Sequence, residues 1–139
     1  MKPTRYAKCN YKNLLPLLQR VDYLPRGSQH CRLEAAGFMP LVIEKLYDDQ
    51  DGRTVYSLTH YGEQNGDLMA DPDMTLKVDH DAGTVEPLSF QNDYMGLYQQ
   101  VYIERDGQRL YSPRLRSQLD DFLRQWLKNI EMQGYLETA

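Results

Sequence analysis

Apolar positions recur at helical spacing in two stretches of the chain and at alternating spacing between them. In the first helical stretch Leu14, Leu15, Leu17, Leu18 and Val21 fall on one face. Asn10 is placed to cap it, because its side-chain oxygen can accept from a backbone N–H one turn on. Pro16 removes the bond to Lys12 and crowds that carbonyl, which predicts a kink or two short helices. Met1 to Ala7 reads as a loose start, and Asp22 to Ser28, with Pro25 and Gly27, as a loop. The second helical stretch is clearer. Ser112 fits an N-cap, Pro113 the first helical position, and Gly134 the left-handed residue after the end. Leu115, Leu119, Phe122, Leu123, Trp126, Leu127 and Ile130 form its apolar stripe, with Arg114, Arg116, Gln118, Asp120, Asp121 and Lys128 mostly off it.

The middle of the chain carries strand patterns. Arg32 to Ala36 and Leu41 to Tyr47 are strand-like, with Gly37 and Pro40 between them. Asp48 to Gly52 is a turn sequence, since Asp and Gly tolerate the left-handed backbone of a tight reversal. Thr54 to Tyr61 returns as a strand that places Val55, Ser57 and Thr59 on one face and Tyr56, Leu58 and His60 on the other. Gly62 to Pro72 reads as a polar loop. Met74, Leu76 and Val78 then alternate with polar neighbours, and His80 to Gly83 turns the chain. Thr84 to Phe90 is a strand whose Pro87 predicts a sheet edge. Gln91 to Gly96 is a second polar connection. Tyr98 to Glu104 is a further strand, and Asp106–Gly107 a tight turn before Arg109 to Tyr111. The expectation is an α+β domain spanning residues 1–139: an antiparallel sheet of about five strands, packed by the C-terminal helix and a shorter N-terminal one.

Composition supports a folded domain. A chain of 139 residues with 41% hydrophobic and 26% charged residues can bury a core without a staple. The net charge of −4 repels phosphate backbones and disfavours nucleic acid as a partner. Arg105, Arg109, Arg114 and Arg116 cluster, but Glu104, Asp106, Asp120 and Asp121 lie among them, which reads as a solvated, ion-paired face. Cys9 and Cys31 have no CxxC spacing and read as free thiols. No basic-then-apolar leader opens the sequence, and no apolar run nears about twenty residues. A cytoplasmic protein without a membrane partner is the expectation.

The chemistry-bearing residues concentrate between His60 and Asp81. Carboxylates at Glu63, Asp67, Asp71, Asp73 and Asp81 suit a hard cation, and His60 and His80 would add nitrogen for a transition metal. The spacing matches no EF-hand, HExxH or Cys/His zinc pattern, so no metal is assigned. A histidine oriented by a carboxylate is a standard proton-transfer pair. An acid–base or metal-assisted enzyme is therefore the alternative, and it requires His60 to converge with His80 or a carboxylate. No nucleophile elbow, dinucleotide fingerprint or phosphate loop is present, so no catalytic residue and no cofactor is expected. His60, Tyr61, Glu63, Asn65, Asp67, Asp71, Asp73 and His80 are the candidate binding residues. Tyr47, Tyr56, Tyr61, Tyr94, Tyr98 and Tyr102 are numerous enough for a surface patch of the kind that contacts proteins. The leading expectation is a non-catalytic binding or regulatory protein with a protein partner or a homodimer.

Three stretches carry a family resemblance. Asn10–Tyr11 opens a leucine-rich helix, Met74 to Asp81 reads MTLKVDHD, and Gln118 to Leu127 reads QLDDFLRQWL. In that order they resemble the YqiB-like domain of unknown function, a family of small bacterial proteins. His60 to Met74 is similar to a related unnamed family associated with gut bacteria and mobile elements. The resemblance implies a bacterial, cytoplasmic, single-domain protein and brings no catalytic residue with it.

Overall fold

Two amphipathic helices cover one face of a six-stranded antiparallel meander. The computed structural model describes residues 1–22, 24 and 29–137. The expected loop at residues 22–28 lies largely outside them. The order is α1 (Ala7–Asp22), β1 (His30–Leu33), β2 (Leu41–Asp48), β3 (Thr54–Gln64), β4 (Asp67–Asp79), β5 (Thr84–Asn92), β6 (Leu97–Gln100), β7 (Tyr102–Arg105), β8 (Gln108–Tyr111) and α2 (Pro113–Gln133). Strands β1 to β6 lie side by side in chain order, and β7–β8 form a separate hairpin. The α+β class is as the sequence predicts, with one more strand in the main sheet. The expected strand 98–104 is two strands, because the chain leaves the sheet at Val101. That residue is buried, donates to Leu88, and accepts from Ser112.

Both caps of α2 form as expected. Ser112 Oγ accepts from the Leu115 N–H at 3.2 Å, and Gly134 is left-handed with φ 88°. The helix buries Leu119, Leu123, Trp126, Leu127 and Ile130 against the sheet. Among the described residues no helix is long and apolar enough to cross a membrane.

Helix α1 departs from expectation in two ways. It is one helix of 16 residues through Pro16, because Pro16 lies on the exposed side, where water can satisfy the freed carbonyl. Asn10 is not its cap. It is fully buried inside the helix, and its amide donates to the Asp120 carbonyl at 3.1 Å. The capping role falls to Asp120 of α2, whose carboxylate accepts from the Tyr6 N–H at 2.8 Å and the Thr4 hydroxyl at 2.6 Å. Asp120 is thus buried rather than part of a solvated charged face.

The polar stretch from Gly62 to Pro72 is not a loop. β3 and β4 run through it, and only Asn65 and Gly66 turn, at φ 53° and 85°. Two consecutive left-handed residues match the twist of a two-residue hairpin, and Asn-Gly is the pair that tolerates them best. Pro87 sits on β5, an interior strand. It is paired with Leu76 at a register shift between β4 and β5, a bulge that accommodates a missing N–H. The first strand is His30–Leu33 rather than 32–36.

Candidate functional site

The sheet brings its polar residues together on the face the helices leave open. In one row Thr59, Asp73, Gln91 and Tyr98 are cross-strand neighbours; in the next, Glu44, Ser57, Thr75, Ser89 and Gln100 follow. Thr75 and Ser89 hydrogen-bond across the strands at 2.5 Å. No helix lies over this face, yet Val55, Ser57, Thr59 and Ser89 are 2–8% exposed. Their short side chains sit beneath longer neighbours. Two adjoining cavities open here. One, of about 490 Å³, has walls that include Tyr47 and Tyr98 and a floor that includes Val55, Thr75 and Ser89. The other, of about 540 Å³, lies against the β7–β8 hairpin. Lys77, Tyr102, Arg109 and Asp51 border both.

Ion pairs tie this region together. Lys77 Nζ meets Asp49 at 2.9 Å, Arg53 meets Asp79 at 3.1 Å and Asp51 at 3.5 Å, and Arg116 Nε meets Glu86 at 2.6 Å. The Tyr102 hydroxyl also donates to Glu86. Burial, and secondarily the Glu86 carboxylate, push the Tyr102 phenol up to about 12. Arg116 therefore pairs across to the sheet and not within its own cluster. The Arg109 guanidinium lies over the Tyr102 ring, 4.6 Å from its centre. Of the cavity residues, the tyrosine pattern in the sequence points to Tyr47, Tyr98 and Tyr102, and the arginine cluster to Arg109 and Arg116 as surface charge only. Arg53, Lys77 and their carboxylates carry no sequence signal, since their meeting depends on strand order.

The eight sequence candidates scatter. His60 is buried on the helix side, where its Nδ1 accepts from Trp126 Nε1 at 3.1 Å and Tyr135 lies 5.5 Å away ring to ring. His80 is exposed in the β4–β5 turn, with Nδ1 2.8 Å from the Tyr11 hydroxyl. His60 lies opposite the β4 bulge between Ala70 and Asp73, so about 25 Å of strand separates it from His80 at roughly 3.3 Å per residue. The two histidines do not converge. Asp71 accepts from Asn92 at 2.8 Å, and its charge is felt by His60. Asp73 is half-buried on the open face with Thr59 and Tyr61, and burial raises its pKa against the pull of the Thr59 hydroxyl. Glu63, Asn65 and Asp67 are exposed around the hairpin turn. Among the described residues no group of three or more histidine, cysteine or acidic side chains is placed to hold a metal ion.

His60 is the titratable group with the clearest consequence for stability. Burial pushes its pKa down to about 4 from an ordinary 6.5, while Asp71 pulls the other way. The unfolded chain therefore takes up a proton first as pH falls. Folding stability is expected to drop between about pH 6.5 and 4, by about 2–3 kcal/mol. Asp73, raised by burial, opposes this at the acid end. Urea unfolding of the wild type and of His60→Gln across that range checks it: the variant is expected to lose most of the slope.

A family model described as a domain of unknown function, DUF6908, matches residues 10–136. The chain belongs to this family. The match covers α2, every strand described and all of α1 but its first three residues, so the open face lies within the family's domain, while Met1, Pro3 and Ala7 at the rim of the larger cavity lie outside the match. The match agrees with the resemblance to an uncharacterised family and does not extend to the YqiB-like assignment. No curated protein and no solved structure matches the chain.

Proposed function

We propose that this DUF6908 protein is a non-catalytic binding module of the bacterial cytoplasm that acts through protein contacts, with a second copy of the chain docking on the open sheet face. The observation that carries this is the pair Tyr47 and Tyr98, 55% and 59% exposed, on the walls of a groove whose floor is already closed. Tyrosine supplies large contact area with little side-chain entropy to lose. The charge on this face supports self-association. Around the two cavities Arg53, Lys77, Arg109 and Arg116 balance Asp49, Asp51, Asp79 and Glu86, so two such faces meeting in an isologous contact carry no net charge to repel them there. Free thiols at Cys9 and Cys31 suit a reducing compartment. The tyrosines do not form one patch: Tyr56 is buried on the helix side, bonded to Asp22 at 3.3 Å.

Size-exclusion chromatography with light scattering tests this over a concentration series. A dimer is expected, and Tyr98→Ala and Tyr47→Ala should each weaken it by roughly tenfold or more. A strict monomer at the highest concentration removes the second copy as occupant.

A further inference from the structure

The larger cavity differs from the rest of the face in its charge balance. Arg53, Lys77, Arg109 and Arg116 line it against Asp51, Asp79 and Glu86, a local excess of cation on a chain of net charge −4. Arg53, Lys77 and Arg116 are engaged by carboxylates. Arg109 is not, among the described residues. Its cross-strand neighbour in the hairpin is Glu104, yet the guanidinium lies over Tyr102 instead. That stacking leaves the planar N–H fork free at its edge, the geometry that meets a carboxylate or phosphate in two bonds. Beside it Tyr111 faces Tyr102 at 6.0 Å between ring centres, with the planes 34° apart, and Ala82 and Val85 line the cavity as well. A volume of about 540 Å³ lies within the range of small-molecule sites, which pair apolar walls with a few placed polar groups.

From this geometry we infer that the cavity under the β7–β8 hairpin binds a small molecule joining a planar ring to an oxyanion. Arg109 takes the oxyanion, and Tyr111 receives the ring. The site is complete within one chain and stands whether or not a second copy covers the neighbouring groove.

An NMR titration of the intact protein tests it with three probes: adenosine monophosphate, benzoate and inorganic phosphate. At least one of the two ring-bearing probes is expected to give saturable shifts at the backbone amides of Tyr102, Arg109, Leu110 and Tyr111. Phosphate is expected to bind more weakly. Arg109→Gln, an exposed hairpin change that leaves the core untouched, should weaken the ring-bearing probe by about tenfold or more. Arg109→Lys should recover only part. Three results would each overturn the inference: no saturable shift at the hairpin with any probe, phosphate binding as well as both ring compounds, or unchanged affinity in Arg109→Gln.

Discussion

Trp126→Ala is expected to destabilise the protein by about 3–5 kcal/mol. The indole is 5% exposed at the centre of the contact between α2 and the sheet. It stands edge-on to His60 at 5.4 Å and beside Phe122 at 6.0 Å. Truncation opens a cavity among side chains fixed by regular elements, which cannot collapse to fill it. It also takes away the N–H from which His60 Nδ1 accepts, and the other ring nitrogen, Nε2, is buried with no hydrogen-bond partner among the described residues. Trp126→Phe separates these two contributions. It keeps most of the volume and loses only the bond, so about 1–2 kcal/mol is expected. Chemical denaturation of the two variants checks the pair. Equal losses would mean that the hydrogen bond, and not the packing, dominates at this position.

Asp120→Ala is expected to cost about 2–4 kcal/mol, although the residue lies outside the apolar stripe of its helix. One carboxylate serves the Thr4 hydroxyl, the Tyr6 N–H at the start of α1, and the Asn10 amide at 3.3 Å. The negative charge also complements the positive end of α1. Removal leaves the helix start without its acceptor and the buried Asn10 amide with the Asp120 backbone carbonyl alone. Amide hydrogen exchange should show the first turn of α1 opening before the sheet does. An Asp120→Ala protein as stable as the wild type would show that water replaces these bonds at little cost.

Much of this molecule follows from local sequence. The stripe of α2, its Ser112 and Gly134 caps, and the alternation of Thr54–Tyr61 and Met74–Val78 are properties of neighbouring residues, and backbone geometry turns them into elements with defined faces. Of two departures of that kind, one has a local cause and the other a distant one. Asn65–Gly66 carried the signal for a two-residue hairpin, and the polar residues around it concealed two strands that extend beyond the core. Asn10 fitted a cap by type, but its burial against Asp120 depends on a residue 110 positions away.

The candidate site depended on the tertiary structure almost wholly. Histidines and carboxylates dense in sequence from His60 to Asp81 became remote, because an extended strand moves each residue about 3.3 Å onward and alternates its side chains between faces. Lys77, Arg53, Tyr102 and Arg109 are scattered along the chain, yet they border one cavity once β3, β4 and the β7–β8 hairpin are in place. By itself the sequence determined the α+β class, the caps of α2 and which faces of the strands are apolar. Only the tertiary structure decided which polar groups meet, since that is set by strand order and register, and neither is encoded in the spacing of any single segment.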